Sequence, residues 1–127
     1  MKVFLLSFIT LLASSCLKQK TEGVLVVNAS VFEQKMAEEG TQLVDARTPE
    51  EFSEKHIANA LNANILGEDF EQKVASLDKN KPVLVYCKSG VRSANAAAKL
   101  KAMGFTTIID LDGGITQWIA EGKPIVN

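Results

Sequence analysis

The sequence predicts an α/β fold in which a central parallel sheet of about five strands carries helices on both faces. Short apolar segments alternate with helical segments along the chain, and this alternation is typical of parallel strands joined by crossing helices. The segment 83–86 is continuously apolar, as a central strand buried on both faces should be. A hydrophobic content of 46% over 127 residues is enough for one globular domain with a substantial core.

The first half of the predicted domain contains two strands and two helices. Residues 24–27 and 42–45 are short apolar strands, and residues 31–39 have helical spacing after a cap at Asn28 or Ser30. A second, short helix runs from Thr48 to about residue 54, because a capping threonine precedes Pro49 and two acids. An extended stretch follows over residues 56–62.

The second half repeats the alternation. Residues 68–76 are predicted to be helical, and a polar break over 79–82 precedes the strand 83–86. A helix over 93–103 ends at Gly104, and a strand covers 107–111. Two glycines then turn the chain into a last short helix that contains Trp118, and residues 123–126 form a tail.

The N-terminal segment is predicted to be a targeting signal rather than part of the fold. Lys2 precedes an apolar run and small residues, so residues 1–15 have the architecture of a signal peptide, and the run is too short for an ordinary membrane span. Cys16 follows the small residues, which resembles the lipobox of bacterial lipoproteins, although Ala13 stands where leucine is commoner. In that family the signal is cut before the cysteine, which is then lipidated.

This resemblance implies a division of the chain and a location. Residues 16–23 would be the lipidated cysteine and a polar tether, and residues 24–127 the folded domain. The protein would then lie in the periplasm or cell envelope, held to the membrane through a lipid anchor only. The alternative is plain secretion in which Cys16 has no role.

Cys87 is the strongest candidate for chemistry. It ends the strand 83–86 and precedes a glycine turn, Arg92 and a helix start near Ser93. Ligands of parallel sheets bind beyond the carboxyl ends of the strands. Backbone N–H groups and a nearby cation favour the thiolate, so we expect a nucleophilic, partly exposed cysteine.

The balance of charges and the small number of metal-ligating residues argue against nucleic-acid binding and against a metal site. The chain has 14 basic and 15 acidic residues without a long run of like charge, which gives no electrostatic support for binding nucleic acid. His56 is the only histidine, and with so few cysteines it cannot complete a usual metal site. We expect no metal and no other cofactor, and His56 is interpreted as a structural hydrogen-bonding residue.

Several segments together resemble a single-domain rhodanese, a family of sulfurtransferases. The resemblance rests on five segments in order, which are 44–52, 56–57 with 60–62, 87–93, 104–105, and 111–114 with Trp118. Lys55 and Asn59 replace glycines that the family usually has, and Asn59 can still adopt the positive φ of a turn.

The resemblance implies a rhodanese-like fold and covalent sulfur transfer. Cys87 would be the nucleophile and would carry a persulfide between a donor such as thiosulfate and a thiol or cyanide acceptor, with a protein acceptor also open. Asp45 and Arg47 would support the site. The loop residues would bind the transferring group, and they are Lys88, Ser89, Gly90, Val91, Arg92 and Ser93.

Two alternatives remain open at this point. The first is a non-catalytic rhodanese-like binding or persulfide-carrier module, although inactive members of the family usually lack the cysteine. The second is activity like that of cysteine phosphatases or arsenate reductases, which have five residues between cysteine and arginine. Here four residues separate Cys87 from Arg92, and the smaller loop suits a sulfur atom better than a phosphate.

Overall fold

A computed structural model describes residues 23–127 and confirms the predicted fold class. The sheet has five strands in the order β1-β5-β4-β2-β3, and every neighbouring pair is parallel. The predicted signal peptide, Cys16 and nearly all of the predicted tether lie outside the described residues. The elements are β1 (Val24–Val27), α1 (Ala29–Met36), β2 (Gln42–Asp45), α2 (Pro49–Glu54), β3 (Leu61–Asn62), α3 (Phe70–Val74), β4 (Val83–Tyr86), α4 (Val91–Ala102), β5 (Ile108–Leu111) and α5 (Gly114–Ala120).

Strand β4 is the centre of the sheet and is buried along its whole length. It pairs with β2 on one side and β5 on the other. One face of the sheet packs against α3 and α4, with Phe70 and Leu100 in its core. The other face packs against α1 and α5, with Phe32 and Trp118 in its core. Apolar side chains on both faces explain why β4 has no polar alternation.

Strands β1, β2 and β4 have the predicted bounds, the extended stretch 56–62 contains the short strand β3, and the helix boundaries differ by one to three residues. Helix α4 begins at Val91 rather than near Ser93, because Gly90 takes a left-handed φ of 114° and starts the helix earlier. Helix α1 is capped by Asn28, whose side chain accepts a hydrogen bond from the Val31 amide at 2.9 Å. Helix α3 is shorter than predicted and has no side-chain cap.

Asn59 and Lys55, which stand where the family usually has glycine, both fit the local backbone. Asn59 has φ of 68°, the left-handed conformation expected of it. Lys55 has φ of −166°, which is extended backbone that any residue adopts, so a glycine is not needed there. The lysine therefore costs the turn nothing.

The C-terminal tail is part of the fold. Residues His56 and Val126 form an antiparallel bridge, and the Trp118 indole donates to the Pro124 carbonyl at 2.8 Å. The His56 ring stacks on Phe52 and its Nδ1 lies 2.9 Å from the Phe52 carbonyl oxygen. His56 thus helps to join α2 to the tail.

Within residues 23–127 no helix has the length and apolarity to cross a bilayer.

Helix α5 packs directly onto the backbone that follows β4. The amides of Ile115 and Thr116 donate to the carbonyls of Cys87 at 2.9 Å and Lys88 at 3.1 Å. At Gly114, where φ is 59°, a Cβ would fall on the Lys88 carbonyl and within 2.6 Å of the Cys87 carbonyl oxygen. This close approach requires glycine and fixes the end of β4 against the start of α5.

We predict that Gly114→Ala destabilises the domain far more than Gly122→Ala. Both glycines have a left-handed φ, but open space surrounds Gly122, so its substitution should cost only the conformational penalty of about 1 kcal/mol. At Gly114 the clash with two carbonyls should add at least about 2 kcal/mol. Urea unfolding of both variants measures the difference, and equal losses of stability would refute the close packing of α5 on the Cys87 segment.

Candidate active site

The Cys87 sulfur lies at the carboxyl end of β4, inside the loop that leads into α4. The Gly90 amide donates to Sγ at 3.0 Å, and the thiol donates to the Ser93 hydroxyl oxygen at 3.4 Å. The Ser93 hydroxyl in turn donates to the Gly90 carbonyl at 3.3 Å. The three groups form a closed ring of hydrogen bonds, which the left-handed conformation of Gly90 makes possible.

The loop surrounds the sulfur more completely than the sequence indicated. Cys87 is only 1% exposed, so the expected partial exposure is wrong. The reason is local: the loop closes over the sulfur while α5 packs on the Cys87 carbonyl. Among the described residues, the hydrogen bonds to the sulfur involve Gly90 and Ser93, and none comes from Lys88, Ser89 or Val91. Substrate binding by those three residues stays a prediction.

Arg92 joins the Cys87 loop to helix α2. Its guanidinium donates through both terminal nitrogens to the Glu51 carboxylate, at 2.6 and 3.0 Å. The hydrogen bond with Glu51 is the main reason that the pKa of Arg92 is raised, and attraction to an ionised Cys87 adds to it. The arginine therefore places a positive charge within electrostatic range of the sulfur while its fork is held by Glu51. Its binding of a substrate anion stays a prediction.

Glu51 itself is held by the sequence of α2. It occupies the third position of the helix, where its carboxylate and the Thr48 side chain form a reciprocal capping box. The hydrogen bond from Arg92 is the largest of the effects that lower the pKa of Glu51 to about 2. The start of α2 thereby fixes the start of α4 through one ion pair.

Asp45 and Arg47 form a second ion pair, which is buried at the end of β2. The Arg47 Nη2 atom donates to Asp45 at 2.7 Å and to the Lys55 carbonyl at 2.7 Å. The Arg47 backbone amide also donates to Asp45, at 2.9 Å. The guanidinium lies 5.8 Å from the centre of the Tyr86 ring, at the end of β4. Both residues are thus positioned as a structural brace beside β4, and neither hydrogen-bonds the sulfur.

A cleft of about 350 Å³ opens beside the Cys87 loop. Helix α5 contributes Ile115 and Ile119 to its wall, and Lys88 contributes a side chain from the loop itself. Lys55 and Glu54 also line the cleft, and neither lysine pairs with an acid among residues 23–127. The same part of the chain contains no group of three or more side chains arranged to hold a metal ion.

A comparison with protein-family models finds the rhodanese-like domain over residues 28–121. The chain belongs to the rhodanese-like domain family. A sulfurtransferase of Allochromatium vinosum is 34% identical to this chain, and the match covers 79% of this chain and 92% of the relative. The thiosulfate sulfurtransferase GlpE of Coxiella burnetii is 38% identical over 61% of this chain and 71% of its own.

Solved structures agree with this assignment. A rhodanese-related protein of Thermoplasma volcanium is 33% identical, with a TM-score of 0.70 over 80% of this chain and 97% of its own. The expected family is therefore confirmed, and relatives named sulfurtransferase support the expected general class.

Sequence reasoning missed two residues near the site. Glu51 was assigned only to a helix start, although its spacing from Thr48 fits a capping box whose carboxylate can also take a cation. Asp110 was placed in a strand and given no role. A carboxylate within the apolar run 108–111 was a signal that could have drawn attention to it, because buried carboxylates are rare without a partner.

The Glu51–Arg92 pair predicts a pH-dependent part of the stability. Because the folded pKa of Glu51 is lowered from 4.5 to about 2, its contribution is present above about pH 4.5 and is lost as the pH falls toward 2. We expect Glu51→Gln to cost about 1–2 kcal/mol at pH 7, a value reduced for the partial exposure of the pair, and almost nothing at pH 2.

Glu50→Gln is the matched control, because Glu50 is an exposed acid in the same turn of α2. It should change the free energy of unfolding by less than about 0.5 kcal/mol at either pH. Urea unfolding of both variants across this pH range checks the prediction, which fails if the Glu51→Gln loss does not vary with pH.

Proposed function

We propose that this rhodanese-like domain is a sulfurtransferase that carries sulfane sulfur as a persulfide on Cys87. The observation that carries the proposal is the position of the sulfur at the end of the central strand, hydrogen-bonded by the Gly90 amide. That amide and the nearby charge of Arg92 stabilise a negative sulfur. Relatives named sulfurtransferase and thiosulfate sulfurtransferase support the same chemistry.

With thiosulfate as donor, the first half-reaction is a displacement at sulfur. The Cys87 thiolate attacks the outer sulfur, a new S–S bond forms, and the S–S bond of the donor breaks. Sulfite leaves with the electron pair of that bond, and the negative charge of the thiolate passes to the outer sulfur of the persulfide. Lys88 and Lys55 line the adjacent cleft and outnumber its one acid without an ion pair, Glu54, so they would attract an anionic donor.

The second half-reaction returns the free cysteine. Cyanide or a thiolate attacks the outer sulfur of the persulfide, and the S–S bond to Cys87 breaks. The bonding electrons return to Cys87 as a thiolate, and thiocyanate or a new persulfide leaves. Neither step needs a proton from the protein. His56 is therefore not required as a base, and its ring binds the Phe52 carbonyl.

We predict that Cys87→Ser abolishes thiocyanate formation from thiosulfate and cyanide, because the hydroxyl cannot carry a persulfide under these conditions. Wild-type protein should gain the mass of one sulfur atom after treatment with a sulfane donor, and the variant should not. Cys16→Ser is the matched control, because it removes the other cysteine of the chain and should leave both the turnover and the mass gain unchanged.

The alternatives give different results in the same assays. A protein that takes up sulfur but turns over no acceptor would be a persulfide carrier, and one that takes up none would be a binding module. Hydrolysis of a phosphate ester or reduction of arsenate that depends on Cys87 would favour the phosphatase-like activity. Any of these results, without turnover of any sulfur acceptor, would refute the proposed sulfurtransferase activity.

We further propose that the protein is a lipoprotein of the bacterial cell envelope. The support is the sequence alone: residues 1–15 have the architecture of a signal peptide and Cys16 follows them. Residues 16–23 would then tether the rhodanese domain of residues 24–127 to the membrane. A single thiol, Cys87, would remain in the domain, with no internal partner for a disulfide even in an oxidising compartment.

We predict that the full-length protein, expressed in its bacterial host, enters the detergent phase when membranes are extracted and the phases separated. Cys16→Ser should move it to the aqueous phase, because the acylated residue is lost. Intact mass of the purified wild type should fit a chain that begins at an acylated Cys16. A wild-type chain in the aqueous phase, or one that retains residues 1–15, would contradict the lipoprotein assignment.

A further inference from the structure

Asp110 is a buried acid that the proposed reaction does not use. It is 4% exposed in β5, and its Oδ1 atom has no hydrogen-bond partner among the described residues. A buried carboxyl oxygen without a partner is costly and therefore requires an explanation.

The side chain of Asp110 lies beneath the start of α4. Ile109 and Leu111 belong to the core on the α1 and α5 face, whereas Ile108 belongs to the core under α4. Since side chains alternate along a strand, Asp110 faces α4. Ser93, fully buried in the first turn of α4, is its polar neighbour there and lowers its pKa, although in this structure the Ser93 hydroxyl donates to the Gly90 carbonyl.

Ser93 stands between the acid and the sulfur. Its hydroxyl oxygen accepts from the Cys87 thiol at 3.4 Å, and its proton is directed to the Gly90 carbonyl at 3.3 Å. A hydroxyl has one proton to donate and rotates to suit its surroundings. The Gly90 carbonyl, the Cys87 sulfur and the Asp110 carboxyl therefore compete for that proton.

We propose that Asp110 is a positioning residue which controls, through Ser93, the hydrogen bond to the Cys87 sulfur; the role rests on the proposed sulfur transfer. When Asp110 is neutral, its carboxyl proton can be donated to the Ser93 oxygen, which leaves the Ser93 proton for the thiolate or persulfide. When Asp110 is ionised, it draws the Ser93 proton to itself and adds a negative charge behind the sulfur.

The surroundings of Asp110 raise its pKa but leave it ionised at neutral pH. Burial raises the pKa of Asp110 to about 6, and the nearby charge of Asp112 adds to the effect, while the polar Ser93 side chain opposes it. Strands β1 and β4 contribute no charged side chain of their own, and Cys87 follows β4. The three charged groups of α4 point elsewhere, since Arg92 binds Glu51, Lys99 binds Glu71 and Lys101 lies beside Gly23.

The rate of Cys87 alkylation by iodoacetamide, followed against pH on the full chain, tests the proposal. Asp110→Asn keeps the shape and a donor but cannot ionise, so the pH midpoint of alkylation should fall by about 0.5–1 unit. Between about pH 6, where Asp110 ionises in the wild type, and the midpoint, this equals about a three- to tenfold faster reaction. Asp112→Asn, the exposed neighbour, should give less than half of that shift.

Ser93→Ala decides whether the effect passes through the hydroxyl. It should raise the midpoint, and in its background Asp110→Asn should have less than half of its original effect. An equal effect with and without Ser93, or no effect, would overturn the proposal. These measurements need no sulfur donor. If Asp110 and Ser93 affect alkylation as expected but no sulfur is transferred, only the sulfurtransferase proposal is rejected. If sulfur is transferred but Asp110 has no effect through Ser93, only the role of Asp110 is rejected.

A spectroscopic measurement keeps the proposal testable if Asp110→Asn does not fold. The ¹³C resonance of the Asp110 carboxyl is followed against pH in wild-type protein and in Ser93→Ala. Loss of the hydroxyl should move the pKa of Asp110 upward from about 6, because the polar group that lowers this pKa is gone. An unchanged titration would show that Ser93 and Asp110 are not coupled.

Discussion

The packing of α5 on the end of β4 is the contact on which the site depends. Two amides of α5 hold the carbonyls of Cys87 and Lys88, and Gly114 lets the two backbones meet without a side chain between them. With its carbonyl fixed, Cys87 directs its sulfur into the following loop. The left-handed Gly90 then turns an amide back to the sulfur at 3.0 Å.

Two ion pairs fix the other side of the site. The buried pair of Asp45 and Arg47 braces the end of β2, and the pair of Glu51 and Arg92 joins α2 to the first turn of α4. A buried pair adds little net stability, because desolvation offsets the attraction. Its value here is geometric, since both arginines are held in one orientation beside β4 by bidentate contacts with carboxylates.

The fold class could be predicted from short segments of the sequence, because each of these segments strongly favours one kind of secondary structure. The apolar run of β4, the Thr48 cap and the alternation of strands and helices each have one structural meaning. The position of Cys87 at a strand end followed from the same signals. Its burial did not, because it also depends on α5, which packs on the Cys87 carbonyl and lies more than 25 residues further along the chain.

Partners across the sheet were equally hidden from the sequence. Glu51 and Arg92 are 41 residues apart, and only the tertiary fold brings them together. Asp110 is adjacent to Ser93 through the contact of β5 with α4, which no spacing in the sequence encodes. Helices α1 and α4 begin earlier than predicted because Asn28 and Gly90 precede their first turns. Such helix ends depend on single residues rather than on the periodicity of the sequence.

The central claim is that sulfur passes through a covalent bond to Cys87, and a single-turnover labelling experiment tests it most directly. Thiosulfate that carries radioactive sulfur in the outer position is mixed with excess protein, and half of the sample is then treated with cyanide. The label should first appear on the proteolytic peptide that contains Cys87 and should leave it as thiocyanate when cyanide is added. Labelled thiocyanate without labelled peptide at any earlier time would contradict the account.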